Sequence, residues 1–166
     1  MILFFRGKAA TGKTTIAKQL AIKYGFKIIS KDTVFDDLLN RGYNWADANQ
    51  VAYDQLAGLI QQHHDKNLNL IVDLGLAHTP YYEKFLSKMS LELRSIKQFL
   101  FVCSDDLIWM SRISERIGDL NAPPNQDFAS VDSAYKHYKK YDIYPLTGEK
   151  VVDSILSLQM MTMTIE

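Results

Sequence analysis

The stretch Gly7-Lys8-Ala9-Ala10-Thr11-Gly12-Lys13-Thr14 decides the fold. It fits the pattern G-x-x-x-x-G-K-[ST] at every position, with an apolar run before it and a helical pattern after it. Gly7 and Gly12 allow backbone angles and a close approach that a β-carbon would prevent. The N–H groups of the loop and the positive end of the following helix can then converge on phosphate oxygens. The stretch therefore predicts a phosphate-binding P-loop.

Two side chains of this loop carry the expected chemistry. Lys13 reaches the β- and γ-phosphates of a nucleotide, and the Thr14 hydroxyl ligates Mg²⁺. We expect the whole loop and Thr15, the next residue, to bind the nucleotide, with Lys13 also acting on the transferred phosphate. The plainer interpretation is an ordinary strand-to-helix turn, which the complete match to the pattern disfavours.

The composition predicts one globular domain over residues 1–166. Hydrophobic residues make up 47% of the chain, which is ordinary for a globular protein. The 19 basic and 19 acidic residues balance, which disfavours a long polyanionic partner such as nucleic acid without excluding one. Cys103 is the only cysteine, so we expect neither a disulfide framework nor a thiolate metal site.

No pattern in the chain predicts a membrane span or a signal peptide. The longest apolar run is too short to cross a bilayer. Residues 1–6 lack the charged start and the small-residue cleavage site of a signal peptide, and they lead directly into the phosphate loop as a strand would. We expect a soluble cytoplasmic protein, whose oligomeric state the sequence leaves open.

Short apolar runs alternate with helical patterns, as in α/β proteins with a parallel sheet. We predict strands at 2–5, 27–30, 68–73, 96–102 and 150–153, and helices at 13–24, 33–40, 46–63, 80–89, 105–117 and 130–141. The strands are nearly continuous in apolar character, which predicts a sheet covered on both faces. Residues 118–128 carry turn residues throughout and predict an exposed loop.

Motifs that accompany the P-loop in other protein classes are missing. The chain has neither the Asn-Lys-x-Asp guanine reader nor the Asp-x-x-Gly switch of GTPases, since Asp73-Leu74-Gly75 is one residue too short for the switch. Motor and AAA-type ATPases are expected to have substantially longer chains. A small P-loop domain with a loop late in the sequence favours a kinase.

Four features then occur in order: the phosphate loop, an acid after the second strand in Ser30-Lys31-Asp32, an acid ending the third in Ile71-Val72-Asp73, and Arg112-x-x-x-Arg116 before the late loop. With these features the chain resembles the small P-loop kinases that include polynucleotide 5′-kinases, chloramphenicol phosphotransferase-like enzymes and zeta-toxin-like kinases. The resemblance covers nearly the whole chain. It implies a three-layer α/β fold with a five-stranded parallel sheet of order 2-3-1-4-5, helices on both faces, and a short lid at about residues 117–130.

Asp32 is the candidate catalytic base. In the resembling kinases the acid after strand 2 orients and deprotonates the acceptor hydroxyl. Its position at the carboxyl end of a parallel strand, where ligands bind, supports that role. Aspartate is also a good N-cap, and a helix starting at Thr33 would give Asp32 a purely structural role.

Asp73 ends the third strand as a Walker-B acid does. With Thr14 it is the candidate magnesium ligand, acting through water, or it shapes the acceptor site. The structural alternative is a strand-end carboxylate that caps the next turn.

Arg112 and Arg116 are four residues apart, so both project from one side of a helix that runs into the late loop. Similar kinases place such arginines over the adenine ring and against the transferring phosphates. The resemblance therefore implies that Arg116 acts on the phosphates and that Arg112 binds the base. Surface ion pairs with Glu115 or Asp119 are the alternative.

The acceptor half of the site lacks arginines that would grip a phosphate. Nucleoside monophosphate kinases carry them after strands 2 and 3, whereas residues 33–40 and 73–90 contain none and Arg41 is the only candidate nearby. Polynucleotide kinases have an arginine three residues after the acid, where this chain has Phe35. Shikimate kinase is disfavoured because its glycine triplet after strand 3 is absent. These departures favour an acceptor with little negative charge.

Three aromatic residues, Tyr43, Trp45 and Tyr53, are candidates for the wall of an acceptor pocket, although aromatic side chains are more often part of a core. Overall we predict an ATP-dependent kinase that uses Mg²⁺ and phosphorylates a hydroxyl of a small molecule. A nucleoside or polynucleotide 5′-hydroxyl is the alternative acceptor. A nucleotide-binding regulator without transferase activity is the alternative of another class. The preference for ATP over GTP comes from the resemblance and the missing guanine reader.

Overall fold

The computed structural model describes residues 1–91, 96–119 and 128–154, and within these ranges five strands alternate with six helices. The strands are β1 (Ile2–Gly7), β2 (Lys27–Ser30), β3 (Leu70–Asp73), β4 (Ile96–Val102) and β5 (Lys150–Asp153). The helices are α1 (Lys13–Tyr24), α2 (Lys31–Asn40), α3 (Trp45–Asp65), α4 (Thr79–Leu86), α5 (Asp106–Gly118) and α6 (Val131–Tyr138). Four elements, α1, β2, β4 and β5, have the predicted bounds, and the others differ by one to three residues at one or both ends.

The five strands are parallel and pair in the order β2-β3-β1-β4-β5, which confirms the predicted topology. The register aligns Asp73 at the end of β3 with Ser30 of β2 and with Phe5 of β1. Because parallel strands end at the same edge of a sheet, the phosphate loop, Asp73 and the start of α2 meet at this edge.

Helices cover both faces of the sheet, as the continuous apolar strands predict. Within β1 the side chains alternate, so that Ile2 and Phe4 pack with α3 and α4 while Leu3 and Phe5 pack with α1. All six residues of β1 are buried for this reason. The three-layer α/β fold is thereby confirmed. None of the helices within the described ranges is long and apolar enough to cross a membrane.

A buried ion pair holds the segments around the phosphate loop. Arg6 is fully buried, and its Nε and Nη2 donate to the Glu149 carboxylate at 2.7 and 2.6 Å. The same guanidinium donates to the carbonyl oxygens of Ala77 (3.2 Å) and Tyr144 (2.8 Å). The end of β1 is thus bonded to the segment after β3 and to the segment before β5. Sequence reasoning did not identify this pair.

Replacing Tyr24 by phenylalanine should raise the free energy of unfolding by about 1 kcal/mol, because its buried hydroxyl has no hydrogen-bond partner among the described residues. Thermal unfolding should show a Tm increase of roughly 2–4 °C. The matched control is Tyr82→Phe, which loses a hydrogen bond of 2.7 Å to Gln98 and should lower Tm. A Tm decrease of similar size in both variants would contradict this account of Tyr24.

Candidate active site

The phosphate loop follows β1, and its backbone requires the two glycines. Gly7 has φ +138°, and a β-carbon there would lie 2.1 Å from the carbonyl oxygen of Phe101. Gly12 has φ +84° and precedes α1, whose first turn has no side-chain cap. The first N–H groups of α1 therefore face the loop as donors, which is the arrangement that binds anions.

Lys13 places a buried ammonium group inside the loop. The residue is 7% exposed, and Nζ donates to the carbonyl oxygens of the loop's first two residues at 3.1 and 2.6 Å. Burial lowers the pKa of Lys13, the carboxylates of Asp73 and Asp32 act in the opposite direction, and Arg116 lowers the pKa further. The four candidate residues therefore lie close enough to interact electrostatically.

A small cavity beside the loop, which we call the phosphate cavity, brings these residues together. Its volume is about 110 Å³. Sites that enclose whole small molecules have volumes of about 300–1,000 Å³, so this space suits a phosphate-sized group. The candidate residues that line it are Ala9, Lys13, Thr14, Asp32, Asp73 and Arg116.

Thr14 and Asp73 form a pair of oxygen donors that fits the predicted metal. Thr14 Oγ1 donates to Asp73 Oδ2 at 2.5 Å, and Asp73 is 9% exposed. A hydroxyl and a carboxylate are the hard ligands that Mg²⁺ prefers. The described ranges contain no group of three or more His, Cys, Asp and Glu side chains that could hold a metal ion, at this site or at another. Phosphate and water oxygens would complete the coordination at Thr14 and Asp73.

Asp32 does not cap α2, so the interpretation of a helix capped by Asp32 is wrong. The cap is Ser30, whose Oγ accepts hydrogen bonds from the N–H groups of Asp32 (3.1 Å) and Thr33 (3.3 Å), and α2 begins at Lys31. Serine caps helices as well as aspartate does, so the sequence alone could not choose between them. Asp32 lies in the first turn of α2 and lines the phosphate cavity.

The two arginines of α5 share one cavity, and only Arg116 also lines a second one. Arg116 lines the phosphate cavity. Arg112 donates to Ser154 Oγ after β5 at 2.6 Å and to Cys103 Sγ after β4 at 3.9 Å, rather than to the acids named as its alternative partners. Both arginines line another space of about 560 Å³, which we call the side cavity. Ala10, Gly12, Thr15 and Ser154 also line it.

A larger space, the aromatic cavity, adjoins the phosphate cavity and shares Asp32, Gly75 and Tyr138 with it. Its volume of about 540 Å³ lies within the range of small-molecule sites. Trp45 and Tyr53 line it as expected, whereas Tyr43 is not part of this lining. Tyr81 and Tyr141 add two further aromatic walls that sequence reasoning missed.

The lining of the aromatic cavity carries little net charge. The described part of its lining contains one lysine, Lys31, one carboxylate, Asp32, and no arginine. Lys31 Nζ lies 4.0 Å from the ring centre of Phe35. Arg41, the candidate phosphate-gripping arginine, instead forms an exposed pair with Asp37 at 3.1 Å. Among the described lining residues, Lys31, His78 and His137 are therefore the basic side chains, and no arginine is present to pair with the phosphate of a phosphorylated acceptor.

Trp109 and Tyr138 contact the phosphate loop, and sequence reasoning identified neither. Trp109 Nε1 donates to the carbonyl oxygen of Ala9 at 2.9 Å, and the Ala9 N–H donates to Tyr138 Oη at 2.9 Å. Both side chains belong to one apolar cluster between α5 and α6. In the sequence they look like ordinary core aromatics, because nothing in their spacing indicates the loop.

The predicted lid, at about residues 117–130, falls mainly on residues 120–127, which lie outside the described residues. Its flanking elements are described: α5 ends at Gly118 and α6 begins at Val131. Phe128 lines the phosphate cavity.

Several solved structures share this fold. A candidate kinase from Chloroflexus aurantiacus j-10-fl has 20% identity and a TM-score of 0.69, with 99% of this chain and 95% of that chain covered. A sugar kinase from Janibacter sp. HTCC2649 has 17% identity and a TM-score of 0.66, covering 99% and 91%. A gluconokinase from Sinorhizobium meliloti 1021 has 12% identity and a TM-score of 0.62, covering 95% and 84%. These similarities show the fold, and no curated protein matches the sequence.

A family model described as an AAA domain, AAA_33, matches residues 2–140. The match includes the phosphate loop, both acids and both arginines. The family match and the shared fold confirm the resemblance to small P-loop kinases. The chain belongs to the AAA domain family AAA_33.

Proposed function

We propose that the chain is an ATP-dependent kinase that transfers the γ-phosphate to a hydroxyl of a small molecule of low negative charge. One observation carries the proposal: Asp32 lines both the phosphate cavity and the aromatic cavity. A carboxylate at such a boundary can reach an acceptor hydroxyl on one side and a transferring phosphate on the other. A cytoplasmic location, where ATP is available, and a single domain over residues 1–166 are part of the proposal.

The donor half of the proposed site consists of the phosphate loop and α5. The loop N–H groups and Lys13 would bind the β- and γ-phosphates, and Arg116 would neutralise charge that develops during transfer. Arg112, beside Ser154 and the side cavity, is the proposed contact for the base. Thr14 and Asp73 would hold Mg²⁺, which neutralises phosphate charge when bound.

The proposed step begins at the acceptor hydroxyl. Asp32 accepts its proton while the hydroxyl oxygen forms a bond to the γ-phosphorus. The bond from that phosphorus to the oxygen it shares with the β-phosphate breaks, and ADP leaves. The protein contributes mainly by positioning the reactants and stabilising charge, as expected for phosphoryl transfer.

The chemistry of the aromatic cavity supports a neutral acceptor. Trp45, Tyr53 and Tyr81 offer ring faces that pack against an apolar or ring-shaped surface. Lys31 and Asp32 offset each other in charge, and no arginine lines the cavity within the described residues. Among solved structures with this fold, a sugar kinase and a gluconokinase are both named for small molecules.

A panel of hydroxyl compounds tested with γ-labelled ATP and Mg²⁺ would test the proposal. The panel should pair neutral sugars and nucleosides with their carboxylate or phosphate analogues, and include a 5′-hydroxyl oligonucleotide. We expect the neutral member of a pair to have at least about tenfold higher kcat/KM, because no arginine among the described lining residues would pair with an added negative charge that loses its water on binding.

The other outcomes of the panel would support one of the two alternative functions or contradict the neutral acceptor. Transfer only to the nucleoside or oligonucleotide 5′-hydroxyl would support the alternative acceptor. Tight ATP binding without transfer to any compound would support a nucleotide-binding regulator. A faster reaction with the charged analogues would contradict the neutral acceptor.

A further inference from the structure

The phosphate loop contains a strained residue that is not glycine. Ala10 has φ +59°, in the left-handed region, where the β-carbon of an L-residue is unfavourable. Within the described residues the other such non-glycine position is Asn67 (φ +53°), and asparagine tolerates this region better than alanine does. Strain of this kind persists only where surrounding contacts hold the backbone. Contacts around the phosphate loop must therefore hold Ala10 in this conformation.

Two aromatic side chains hold the residue directly before it. The Ala9 carbonyl accepts a hydrogen bond from Trp109 Nε1, and the Ala9 N–H donates one to Tyr138 Oη, both at 2.9 Å. The Ala9 carbonyl belongs to the peptide group whose rotation sets φ of Ala10. The hydrogen bond from Trp109 therefore restrains the orientation of this peptide plane, and with it the φ angle of Ala10. We call these two hydrogen bonds the Ala9 clamp.

Burial and ring packing hold the two side chains of the Ala9 clamp in place. Trp109 is 1% exposed and Tyr138 is 9% exposed, and their rings pack edge to face with centroids 5.8 Å apart. Lys8 Nζ lies 5.0 Å from the Trp109 ring centre, so the same side chain also contacts the residue before Ala9. One aromatic pair from α5 and α6 thus fixes two successive residues of the phosphate loop.

We propose that Trp109 and Tyr138 are positioning residues of the nucleotide site. By clamping Ala9 they hold Ala10 in its strained conformation, and this conformation keeps the loop N–H groups that follow Ala9 directed at the phosphates. Trp109 lines none of the three cavities as the described residues define them, so it acts through the backbone rather than on the ligand. Tyr138 holds the Ala9 N–H and in addition lines the phosphate and aromatic cavities. This inference rests on the proposed function for the identity of the ligand, a nucleoside triphosphate.

The decisive variant is Trp109→Phe, which keeps an aromatic ring and removes the N–H donor. We expect the Kd of ATP, measured by calorimetric titration, to rise about tenfold, the effect of losing one hydrogen bond that holds the loop. In kinetics the KM for ATP should rise while kcat at saturating ATP changes less than about twofold, since Trp109 lines none of the cavities of the described site. Tyr24→Phe, which removes a buried hydroxyl outside the active site, is the control and should leave Kd unchanged.

Rescue by Ala10→Gly separates positioning from simple core packing. Glycine adopts positive φ without strain, so the double variant Trp109→Phe/Ala10→Gly should return Kd to within about twofold of the wild type. If Trp109→Phe acted only by weakening core packing, Tm would fall, and the addition of Ala10→Gly would not lower the raised Kd. An unchanged Kd in a folded Trp109→Phe variant, or a raised Kd that Ala10→Gly does not correct, would overturn the proposal.

Two further measurements keep the test decisive. If Trp109→Phe does not fold, Tyr138→Phe replaces it with and without Ala10→Gly. Because Tyr138 also lines the phosphate and aromatic cavities, the deciding result there is correction of the Kd by Ala10→Gly, and not the rise in Kd itself. Titration of the wild type comes first, with ATP and ADP. Absence of binding there would refute the proposed function itself, whereas wild-type binding with no effect of the clamp variants would refute only this inference.

Discussion

Replacing Lys13 by alanine is expected to lower ATP turnover by about 10³-fold or more, with a large loss of ATP affinity. Lys13 is 7% exposed, and its ammonium lies among the carboxylates and the arginine of the phosphate cavity. A phosphate beside it would supply negative charge that opposes the effect of burial on its pKa, so bound nucleotide and protonated Lys13 stabilise each other. Calorimetric titration with ATP and a coupled assay of ADP release would measure the two losses.

The matched control is Lys18→Ala on the same helix. Lys18 is exposed and lines none of the three cavities within the described part of the chain. Its removal changes the net charge by the same amount and should leave both measurements within about twofold of the wild type. Thermal unfolding of both variants would verify the fold. ATP turnover retained in a folded Lys13→Ala variant would show that the phosphate loop is not the donor site.

The features that sequence reasoning predicted are those that depend on residues near each other in the chain. The phosphate loop carries its glycines, lysine and threonine within eight positions, and β1 and α1 on either side are read from apolar periodicity. The sheet order followed from the resemblance, and with it the meeting of Asp73 and Thr14 at one edge. The roles assigned to the site residues remain predictions.

The features that sequence reasoning missed depend on contacts between distant parts of the chain. Trp109 bonds to Ala9 across 100 positions, and Arg6 bonds to Glu149 across 143. A buried tryptophan or arginine has the same local pattern whether or not it touches a functional loop. The start of α2 was missed for a different reason: Ser30 and Asp32 are both good caps, and only the backbone decides between them.

Replacing Asp32 by asparagine is expected to lower kcat by about 10²–10⁴-fold, because the amide has nearly the same shape but does not accept the proton of the acceptor hydroxyl. ATP affinity should stay within about threefold of the wild type, since Asp32 is not expected to bind the nucleotide and removal of its charge slightly favours phosphate binding. Single-turnover transfer from labelled ATP, with the best acceptor of the panel, would measure the chemical step separately from binding. Loss of kcat at constant ATP affinity would assign Asp32 to the transfer step.

The control for Asp32 is Asp37→Asn, five residues later in α2, where an exposed carboxylate pairs with Arg41. Both substitutions remove one negative charge from the same helix, but only Asp32 lines the phosphate and aromatic cavities. If Asp32 merely stabilises the first turn of α2, its replacement would lower the free energy of unfolding by about 0.3–1 kcal/mol and leave transfer unchanged. Similar transfer rates in the two variants would therefore leave Asp32 as a helix-stabilising acid, and the base would have to be sought among the other polar residues of the aromatic cavity.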